Sequence, residues 1–588
     1  LGLLGARAFL QEHPWSRDVG LVLNFEARGS HGPSLMFETS NGNASLIREF
    51  AKVVPYPAAS SLSQTIYDRM ENATDLTLFK AAGVPGLNFA FIQGIAHYHT
   101  ALDVPERLSL RSLQHHGSYA LSLTRHFGNL DLQQTSEGDA VYFNPLRFVL
   151  VHYPASWALP LAVLGLLLVV GVVIRGMKQR RLTRMGMFQG FLALLSALIA
   201  APLCVYLLWQ FIAAVGDRPW YPNLLDYNNQ LLAVSMVMAA AAVTTLIFQR
   251  FLKKISLADL HTGALLGWLP LSLYTSLQLS GASYLTTWST LSGTVALLAL
   301  PAPGKPFTTR RYLWFSFFSL PVLMLLVPVI SQMPVALGAD LSFVMAPLVV
   351  LTLSLWIPLL GPLVGVFRGW LPAWLGASSA VLILVVATSG DYDAEHPHPN
   401  SIFYSLQADS DEAVWGTLDT QPDFWVETFL QQQRRLAPAG RFFPLYRQRN
   451  IWQGQAPLVD LPPPEVQVLR DESNDGERQL VLQVRSPRKA PQLFLHIFSE
   501  RPVRSLAIHG KQVPLQHNIH GDSLIYFGVP HRGLELVFNL DPAAALRLEI
   551  QDGSYQLPPV RPSGFRERPA DTMPGRPDRT LVGKSFTF

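Results

Sequence analysis

The stretch Ala158-Leu-Pro-Leu-Ala-Val-Leu-Gly-Leu-Leu-Leu-Val-Val-Gly-Val-Val-Ile174 contains no charged or hydrogen-bonding side chain. A helix on the surface of a soluble protein keeps a polar stripe for water, and this stretch has none. Its length is close to the ~20 residues that a helix needs to cross a bilayer. The stretch therefore predicts a transmembrane helix and disfavours the alternative, a buried core helix of a large soluble protein.

About eight apolar runs of this kind lie between residues 154 and 389. Their approximate cores are 154–174, 187–215, 229–249, 260–280, 284–302, 312–333, 341–365 and 371–389. Each is near the length of one membrane crossing, so the block predicts an all-α transmembrane bundle of about eight helices.

The loops between these runs alternate in charge. The odd loops carry the basic residues Arg175, Lys178, Arg180, Arg181 and Arg184, then Arg250, Lys253 and Lys254, then Lys305, Arg310 and Arg311, and finally Arg368. The even loops are nearly free of Lys and Arg, with Arg218 as the exception. Because Lys and Arg mark the cytoplasmic side, both soluble ends of the chain are predicted on the opposite, non-cytoplasmic face.

Composition divides the rest of the chain. Only 15% of the 588 residues are charged, whereas a soluble chain has about 25%, and the deficit falls on the middle of the sequence. The predicted divisions are 1–135, a linker at 136–153, the bundle at 154–389, a linker and mixed segment at 390–465, a β-rich domain at 466–557 and a tail at 558–588.

The net charge of +4 is too small to indicate nucleic-acid binding. The single cysteine, Cys204, excludes disulfides within the chain and Cys-based zinc fingers.

Residues 1–135 alternate helical and strand patterns, which favours an α/β sheet. Glu26 ends the apolar strand at 19–26, and His99 lies in a loop just past the strand at 84–92. Ligands of open α/β sheets bind at the carboxyl ends of strands, and carboxylate with imidazole suits zinc. Spacing alone leaves the matter open, because a strand-end Glu and a loop His are ordinarily solvated polar side chains.

Five motifs in this segment carry a family resemblance. They are Leu1-Gly-Leu-Leu-Gly-Ala-Arg-Ala-Phe9, Leu23-Asn-Phe-Glu-Ala-Arg-Gly29, Thr74-Asp75 with Phe79, Gly83-Val-Pro-Gly-Leu-Asn-Phe-Ala-Phe91, and Tyr98-His-Thr-Ala-Leu-Asp-Val-Pro105. Their order and spacing resemble the co-catalytic di-zinc aminopeptidase family. The likeness is greatest to its membrane-anchored branch, the vacuolar membrane protease and endoplasmic reticulum metallopeptidase type.

The resemblance implies a zinc peptidase with two Zn²⁺ ions at the sheet edge. Glu26 is then a ligand of one zinc and His99 a ligand of the other. Tyr98 and Asp103 shape the loop, and Asp75 supports the site or the substrate. The implied reaction is metal-assisted hydrolysis of peptides from their N-terminus, with zinc lowering the pKa of water and a carboxylate acting as general base.

The sequence departs from the family pattern in one respect. The pattern also needs a His-x-Asp segment and a Glu-Glu pair, the pair standing immediately before the Gly-Leu-Leu-Gly helix, and neither is found in this sequence. We therefore expect an N-terminally truncated chain that carries no catalytic residue, with the general-base Glu upstream of Leu1. The alternative is a non-catalytic membrane scaffold or receptor with a degenerate peptidase domain. A transporter is disfavoured, because ionisable residues such as Asp340 and His261 occur only near the ends of the apolar runs.

The segment at 466–557 shows period-two alternation and predicts a β-sandwich-like domain. The strands are expected at 479–485, 492–498, 534–538 and 546–550. No catalytic pattern is visible there, which leaves binding of a protein partner, substrate gating or stabilisation as its role. His396 and His398 follow the bundle among acids and prolines, a pattern that favours a linker over a metal site. The tail at 558–588 is rich in Pro and Arg and is expected to be partly disordered.

The compartment is only partly readable. The lack of disulfides and the short loops favour a bacterial inner membrane with both soluble domains periplasmic. The sequons at Asn43 and Asn72 would have a role only in the alternative, a vacuolar or endoplasmic reticulum membrane with lumenal domains. Peptide and lipid are the predicted partners in either case.

Overall fold

The structure is a computed structural model of the 588-residue chain. It describes residues 2–132, 138–146, 148–215, 229–300, 308–337, 341–366, 369–388, 392–440, 442–443, 447, 449–474, 476–515, 522–562 and 564–588. The loop residues Arg218, Lys305 and Arg368, and Asp340, lie outside the described residues. The chain forms two compact units, one of residues 1–98 with 102–390 and one of residues 391–588 with 99–101.

The first unit begins with α/β structure, as predicted. Its helices are α1 (Leu4–Glu12), α2 (Ala44–Val53), α3 (Ser61–Tyr67), α4 (Asp75–Ala81) and α5 (Leu110–Phe127). Its strands are β1 (Val22–Ala27), β2 (Leu35–Thr39), β3 (Gly86–Phe91), β4 (Ala140–Leu146) and β5 (Val149–Pro154). β3 is the central strand of a sheet, parallel to β1 and antiparallel to β2. β4 and β5 form an antiparallel hairpin in the segment predicted as a linker.

The β1–β3–β2 sheet has two different faces because strand side chains alternate. On one face the ring of Phe25 stacks on Phe89 at 4.9 Å, and Phe89 meets Tyr119 of α5 and Phe50 of α2. This apolar cluster is the core of the segment. The opposite face carries the polar residues of the same strands, which are therefore held against a rigid support.

The described part of the apolar block contains eight helices, one in each predicted run. They are α6 (Ala158–Lys178), α7 (Arg184–Val215), α8 (Asn229–Leu252), α9 (Leu257–Gln278), α10 (Ser283–Leu297), α11 (Thr309–Leu337), α12 (Ala346–Val366) and α13 (Leu371–Thr388). Among the described residues, 4 helices are long and apolar enough to cross a membrane, at 155–178, 184–214, 230–252 and 309–337. A block of several apolar helices is confirmed, and eight crossings remain a prediction.

Helix α3 joins the α/β segment to the bundle. Ser61 Oγ donates to the carbonyl oxygen of Gly281 in the α9–α10 turn at 2.7 Å, and the hydroxyls of Ser60 and Tyr284 lie 2.8 Å apart. A Cβ at Gly281 would lie 2.3 Å from Thr65 Oγ1, so only glycine allows this close approach. The contact anchors α3 directly on the bundle.

The second unit is β-rich, as predicted. It contains α14 (Phe424–Leu430) and the strands β6 (His398–Asn400), β7 (Phe403–Gln407), β8 (Glu412–Thr417), β9 (Arg435–Pro438), β10 (Asn450–Gln455), β11 (Glu465–Asn474), β12 (Glu477–Arg485), β13 (Gln492–Ser499), β14 (Ser505–Ile508), β15 (Lys511–Val513), β16 (Asp522–Phe527), β17 (Leu534–Leu540), β18 (Leu546–Tyr555), β19 (Thr572–Pro574) and β20 (Arg579–Thr587).

Two large sheets organise these strands. Their orders are β16-β13-β18-β20-β7-β8-β10-β9 and β11-β12-β17-β14-β15. Leucines of β12 and β17 pack with apolar residues of β13 and β18 in one buried cluster, so the two sheets share a core. The larger sheet also takes strands from 390–465 and from 558–588. In the latter segment β20 pairs with β18 and β7, and Leu581 and Val582 are buried.

Candidate active site

Glu26 is fixed near the carboxyl end of β1. It lies opposite Ala90 of the parallel strand β3 and is half-buried. Asn24 Nδ2 donates to Glu26 Oε1 at 3.1 Å and also to Asn88 Oδ1 at 3.0 Å. His116 Nε2 of α5 donates to the backbone carbonyl of Glu26 at 3.0 Å. Both the side chain and the backbone of Glu26 are therefore oriented by neighbouring residues.

A buried ionic network continues from Asn88 across the polar face of the sheet. Asn88 Nδ2 donates to Glu38 Oε2 and to Thr74 Oγ1, each at 2.8 Å. Lys80 Nζ of α4 pairs with Glu38 Oε1 at 2.9 Å, and the Glu38 side chain is 4% exposed. Lys80 balances the charge of Glu38, so this network supports the sheet face beside Glu26 without adding net charge to it.

Tyr67, the last residue of α3, lies beside the same network. Burial raises the pKa of its hydroxyl to about 12, and the carboxylates of Glu38 and Glu26 and the hydroxyl of Tyr98 act in the same direction. Glu26 and Tyr98, two residues that the sequence assigned to the site, thus both influence the Tyr67 hydroxyl.

The loops that follow β1 and β3 are joined closely. The N–H groups of Ser30 and His31 donate to the carbonyl of Gln93 at 3.0 and 3.1 Å. A Cβ at Gly29 would lie 2.2 Å from that same oxygen, so glycine is needed there. His97 Nδ1 lies 2.8 Å from Ser30 Oγ. These contacts fix the start of the loop that carries Tyr98 and His99 against the carboxyl end of β1, where ligands of such sheets bind.

His99 adopts an unusual backbone conformation. Its φ of 59° lies in the left-handed region, which residues other than glycine rarely occupy, although His tolerates it better than most. Such backbone strain is concentrated at functional sites. Its side chain is exposed, as are those of Asp103 and of Asp75, the first residue of α4.

The donor chemistry suits zinc, but the number of ligands does not suffice. A carboxylate oxygen and an imidazole nitrogen are ordinary zinc ligands, and protein zinc sites use three or four such groups. Within the described residues, no group of three or more His, Cys, Asp or Glu side chains could hold a metal ion. Glu26 and His99 therefore do not form a zinc site without further ligands.

Several supporting residues were not predicted from the sequence. They are Asn24, Glu38, Tyr67, Lys80, Asn88 and His116. One signal was available, because Leu23-Asn-Phe-Glu26 and Leu87-Asn-Phe89 each place an asparagine between apolar residues of a strand. An asparagine in this position is buried on the second face of its sheet and needs hydrogen-bond partners there.

Comparison with known proteins shows similarity in the N-terminal α/β segment. Residues 1–124 match the model of peptidase family M28. The chain is 27% identical to endoplasmic reticulum metallopeptidase 1 of Mus musculus over 282 residues, which are 45% of this chain and 30% of the mouse protein. It is 34% identical to the vacuolar membrane protease of Lachancea thermotolerans over 189 residues, which are 31% of this chain and 19% of the yeast protein. No solved structure is significantly similar to the chain.

These matches confirm the resemblance to the membrane-anchored branch of the family, and residues 1–124 carry a peptidase M28 domain. The aligned part of the chain spans less than a third of the length of either relative. Both relatives are eukaryotic proteins whose names refer to endoplasmic reticulum and vacuolar membranes. The predicted bacterial inner membrane therefore finds no support.

Proposed function

We propose that the protein is a membrane-anchored zinc peptidase of the aminopeptidase type, with Glu26 and His99 as ligands of two different Zn²⁺ ions. The observation that carries this proposal is the placement of Glu26. Its carboxylate is oriented by Asn24, and its backbone by His116, at the carboxyl end of a parallel strand in a segment that matches peptidase family M28.

The other site residues take supporting roles in this proposal. Tyr98 and Asp103 shape the loop that presents His99, and Asp75 supports the site or the substrate. The remaining zinc ligands and the general base come from outside the described residues, which contain no complete metal-binding group. Bound zinc would lower the pKa of a water molecule and polarise the scissile carbonyl. The residues of this chain hold two of the donors in place and form one wall of the substrate site.

We further propose that the apolar block crosses the membrane about eight times and that both soluble units face a lumen. The basic loops support this orientation, because Lys and Arg are retained on the cytoplasmic side. The membrane is then that of the endoplasmic reticulum or the vacuole, in keeping with the names of the relatives. A peptide is the substrate, and a protein partner for the second unit remains a prediction.

Zinc content and peptidase activity of the full-length protein test the ligand assignment. We expect about two Zn²⁺ per chain in the wild type, about one in Glu26→Ala and in His99→Ala, and a loss of aminopeptidase activity of at least roughly 10–100-fold in both variants. Glu106→Ala and His126→Ala serve as controls, since both residues lie outside the proposed site and should keep metal and activity. Unchanged zinc content in both site variants would refute the assignment.

The non-catalytic scaffold stays the second candidate because the described residues contain no complete metal-binding group. The same measurements separate the two hypotheses. A full-length protein that neither binds zinc nor cleaves peptides supports the scaffold, whereas zinc-dependent cleavage that is lost in both variants excludes it.

A further inference from the structure

The interface of α9 with α10 is unusually polar for an apolar bundle. Serines and threonines recur on one face of α10 at spacings of three and four residues, which is the period of a helix face. They are Ser283, Thr286, Thr287, Thr290 and Thr294, and all are buried. Within an apolar block, such a face needs hydrogen-bond partners from neighbouring helices.

In the half of this interface near the α9–α10 turn, the hydroxyl groups find hydrogen-bond partners within the interface. Ser272 Oγ of α9 lies 3.0 Å from Thr287 Oγ1, and Thr275 Oγ1 lies 2.7 Å from Thr286 Oγ1. Thr290 Oγ1 donates to the carbonyl of Thr286 within its own helix at 2.8 Å. This half forms a closed ladder of hydroxyl groups.

His261, nearer the other end of α9, is only half satisfied. Its Nε2 lies 3.0 Å from the carbonyl oxygen of Gly293 in α10. Because a carbonyl only accepts, Nε2 carries the proton, and Nδ1 of the neutral ring is an acceptor. The residue is fully buried, and Nδ1 has no hydrogen-bond partner within the described part of the chain.

Two more polar atoms without a partner among the described residues lie about one helical turn, or about 5.4 Å, from the level of His261 along the neighbouring helices. Ser289 stands four residues before Gly293 on α10, and Ser319 stands four residues after Phe315 on α11. The ring of Phe315 meets that of His261 at 5.6 Å. Ser289 Oγ and Ser319 Oγ are both fully buried, and neither has a partner among the described residues.

These two serines differ from most buried hydroxyls of the bundle, which bond to their own helix. Thr244 and Thr262, for example, each donate to the carbonyl four residues earlier at 2.7 Å. The antiparallel course of α10 and α11 puts Ser289 and Ser319 on the same side of His261, toward the hydroxyl ladder. Three helices therefore each contribute a polar atom without a partner among the described residues, and these atoms lie within about one helical turn of one another along the bundle.

We propose that His261 Nδ1, Ser289 Oγ and Ser319 Oγ bind a shared cluster of internal water molecules inside the bundle. Water is the ligand of matching chemistry, because it donates to the imidazole acceptor and both donates to and accepts from hydroxyls. Buried polar groups that lack protein partners are generally satisfied in this way. The cluster extends the hydroxyl ladder from Thr287 down to His261.

Thermal unfolding of the full chain in lipid nanodiscs tests the water cluster. Ser289→Ala and Ser319→Ala should each lower the unfolding midpoint by about 2 °C, and the double variant should lose less than the sum because both hydroxyls hold the same water. Ser235→Ala is the matched control. Ser235 is fully buried and donates within α8 to the carbonyl of Leu232 at 2.6 Å, so its effect should add to that of Ser289→Ala.

A dry interface gives the opposite result. Removing an unsatisfied hydroxyl would leave the unfolding midpoint unchanged or raise it. Either outcome, or strictly additive losses for the two serines, contradicts a shared cluster.

Hydroxyl-radical labelling by X-ray radiolysis tests the same cluster in the wild-type protein, without any variant. It should oxidise Phe315 several-fold faster than Phe248, which is equally buried but lies on α8. Equal labelling of the two rings would also overturn the proposal.

Discussion

The α/β segment and the helical bundle both bury polar side chains, but they satisfy them differently. On the sheet, Asn24, Asn88, Glu38 and Lys80 form a network in which each side chain bonds to another. In the bundle, His261, Ser289 and Ser319 each leave an atom without a protein partner in the described structure. A closed network holds one geometry, as is needed to orient Glu26, whereas the atoms without protein partners are available to the water molecules that we propose.

Breaking the closed network should have the largest effect. Glu38→Ala leaves the Lys80 ammonium and the Asn88 amide without their acceptor, and breaking a buried pair costs about 3–5 kcal/mol. Because Lys80 is 22% exposed, we expect about 2–3 kcal/mol. Denaturant unfolding measures the loss. Adding Lys80→Met should recover part of it, and Glu106→Ala should change stability by less than about 0.5 kcal/mol. If Glu38→Ala left the free energy of unfolding unchanged, Glu38 would not be a necessary partner of Lys80 and Asn88.

Disrupting the contact between α3 of the α/β segment and the bundle should have the second largest effect on stability. Gly281→Val introduces a side chain whose Cβ would stand 2.3 Å from Thr65 Oγ1 and 2.7 Å from the carbonyl oxygen of Ser61. Overpacking of this kind costs about 1–3 kcal/mol. Limited proteolysis near α3 and thermal unfolding should both report a loosened α/β segment. Gly171→Val is the control, because a Cβ there meets nothing within 4 Å. Equal behaviour of the two variants would contradict the docking of α3.

The smallest effect concerns pH. Burial lowers the pKa of His115, partly offset by its bond to the carbonyl of Tyr56. Its Nδ1 accepts the N–H of Ser34 at 3.1 Å, which a protonated ring cannot do. The unfolded chain therefore binds a proton more readily, and this contribution to stability is present above pH ~6.5 and is lost as the pH falls toward the lowered pKa.

Unfolding midpoints at pH 7.5 and pH 5.5 measure this effect. The wild type should lose more stability between the two values than His115→Gln, with a difference of about 1 kcal/mol or less. Identical pH dependence in the two proteins would contradict the role of His115.

Local patterns predicted the elements well, and non-local pairing explains what they missed. Apolar runs predicted the helices in the described part of the block, and Glu26 lies near the end of β1 and His99 after β3, as the strand patterns predicted. The network around Glu26 depends on sheet order, which alone brings Glu38 of β2 to Asn88 of β3. The strand β20 pairs with β7, whose residues lie about 175 positions earlier, for example Leu581 with Ser405. Its Pro- and Arg-rich surroundings hide the alternation that marks a strand.

The length of helix α3 sets the distance between the bundle and the sheet that carries Glu26. Its 7 residues span about 10 Å at 1.5 Å per residue. Its first turn contacts the α9–α10 turn of the bundle, and Tyr67 at its other end packs against Phe37 of β2, in the sheet that also contains Glu26. In the proposed topology the α9–α10 turn lies on the lumenal side, and this helix is longer than the headgroup layer of a bilayer, which is about 5–8 Å deep on each side. For a peptidase in this topology, we therefore expect cleavage of peptide ends that emerge close to the membrane rather than of chains diffusing freely in the lumen.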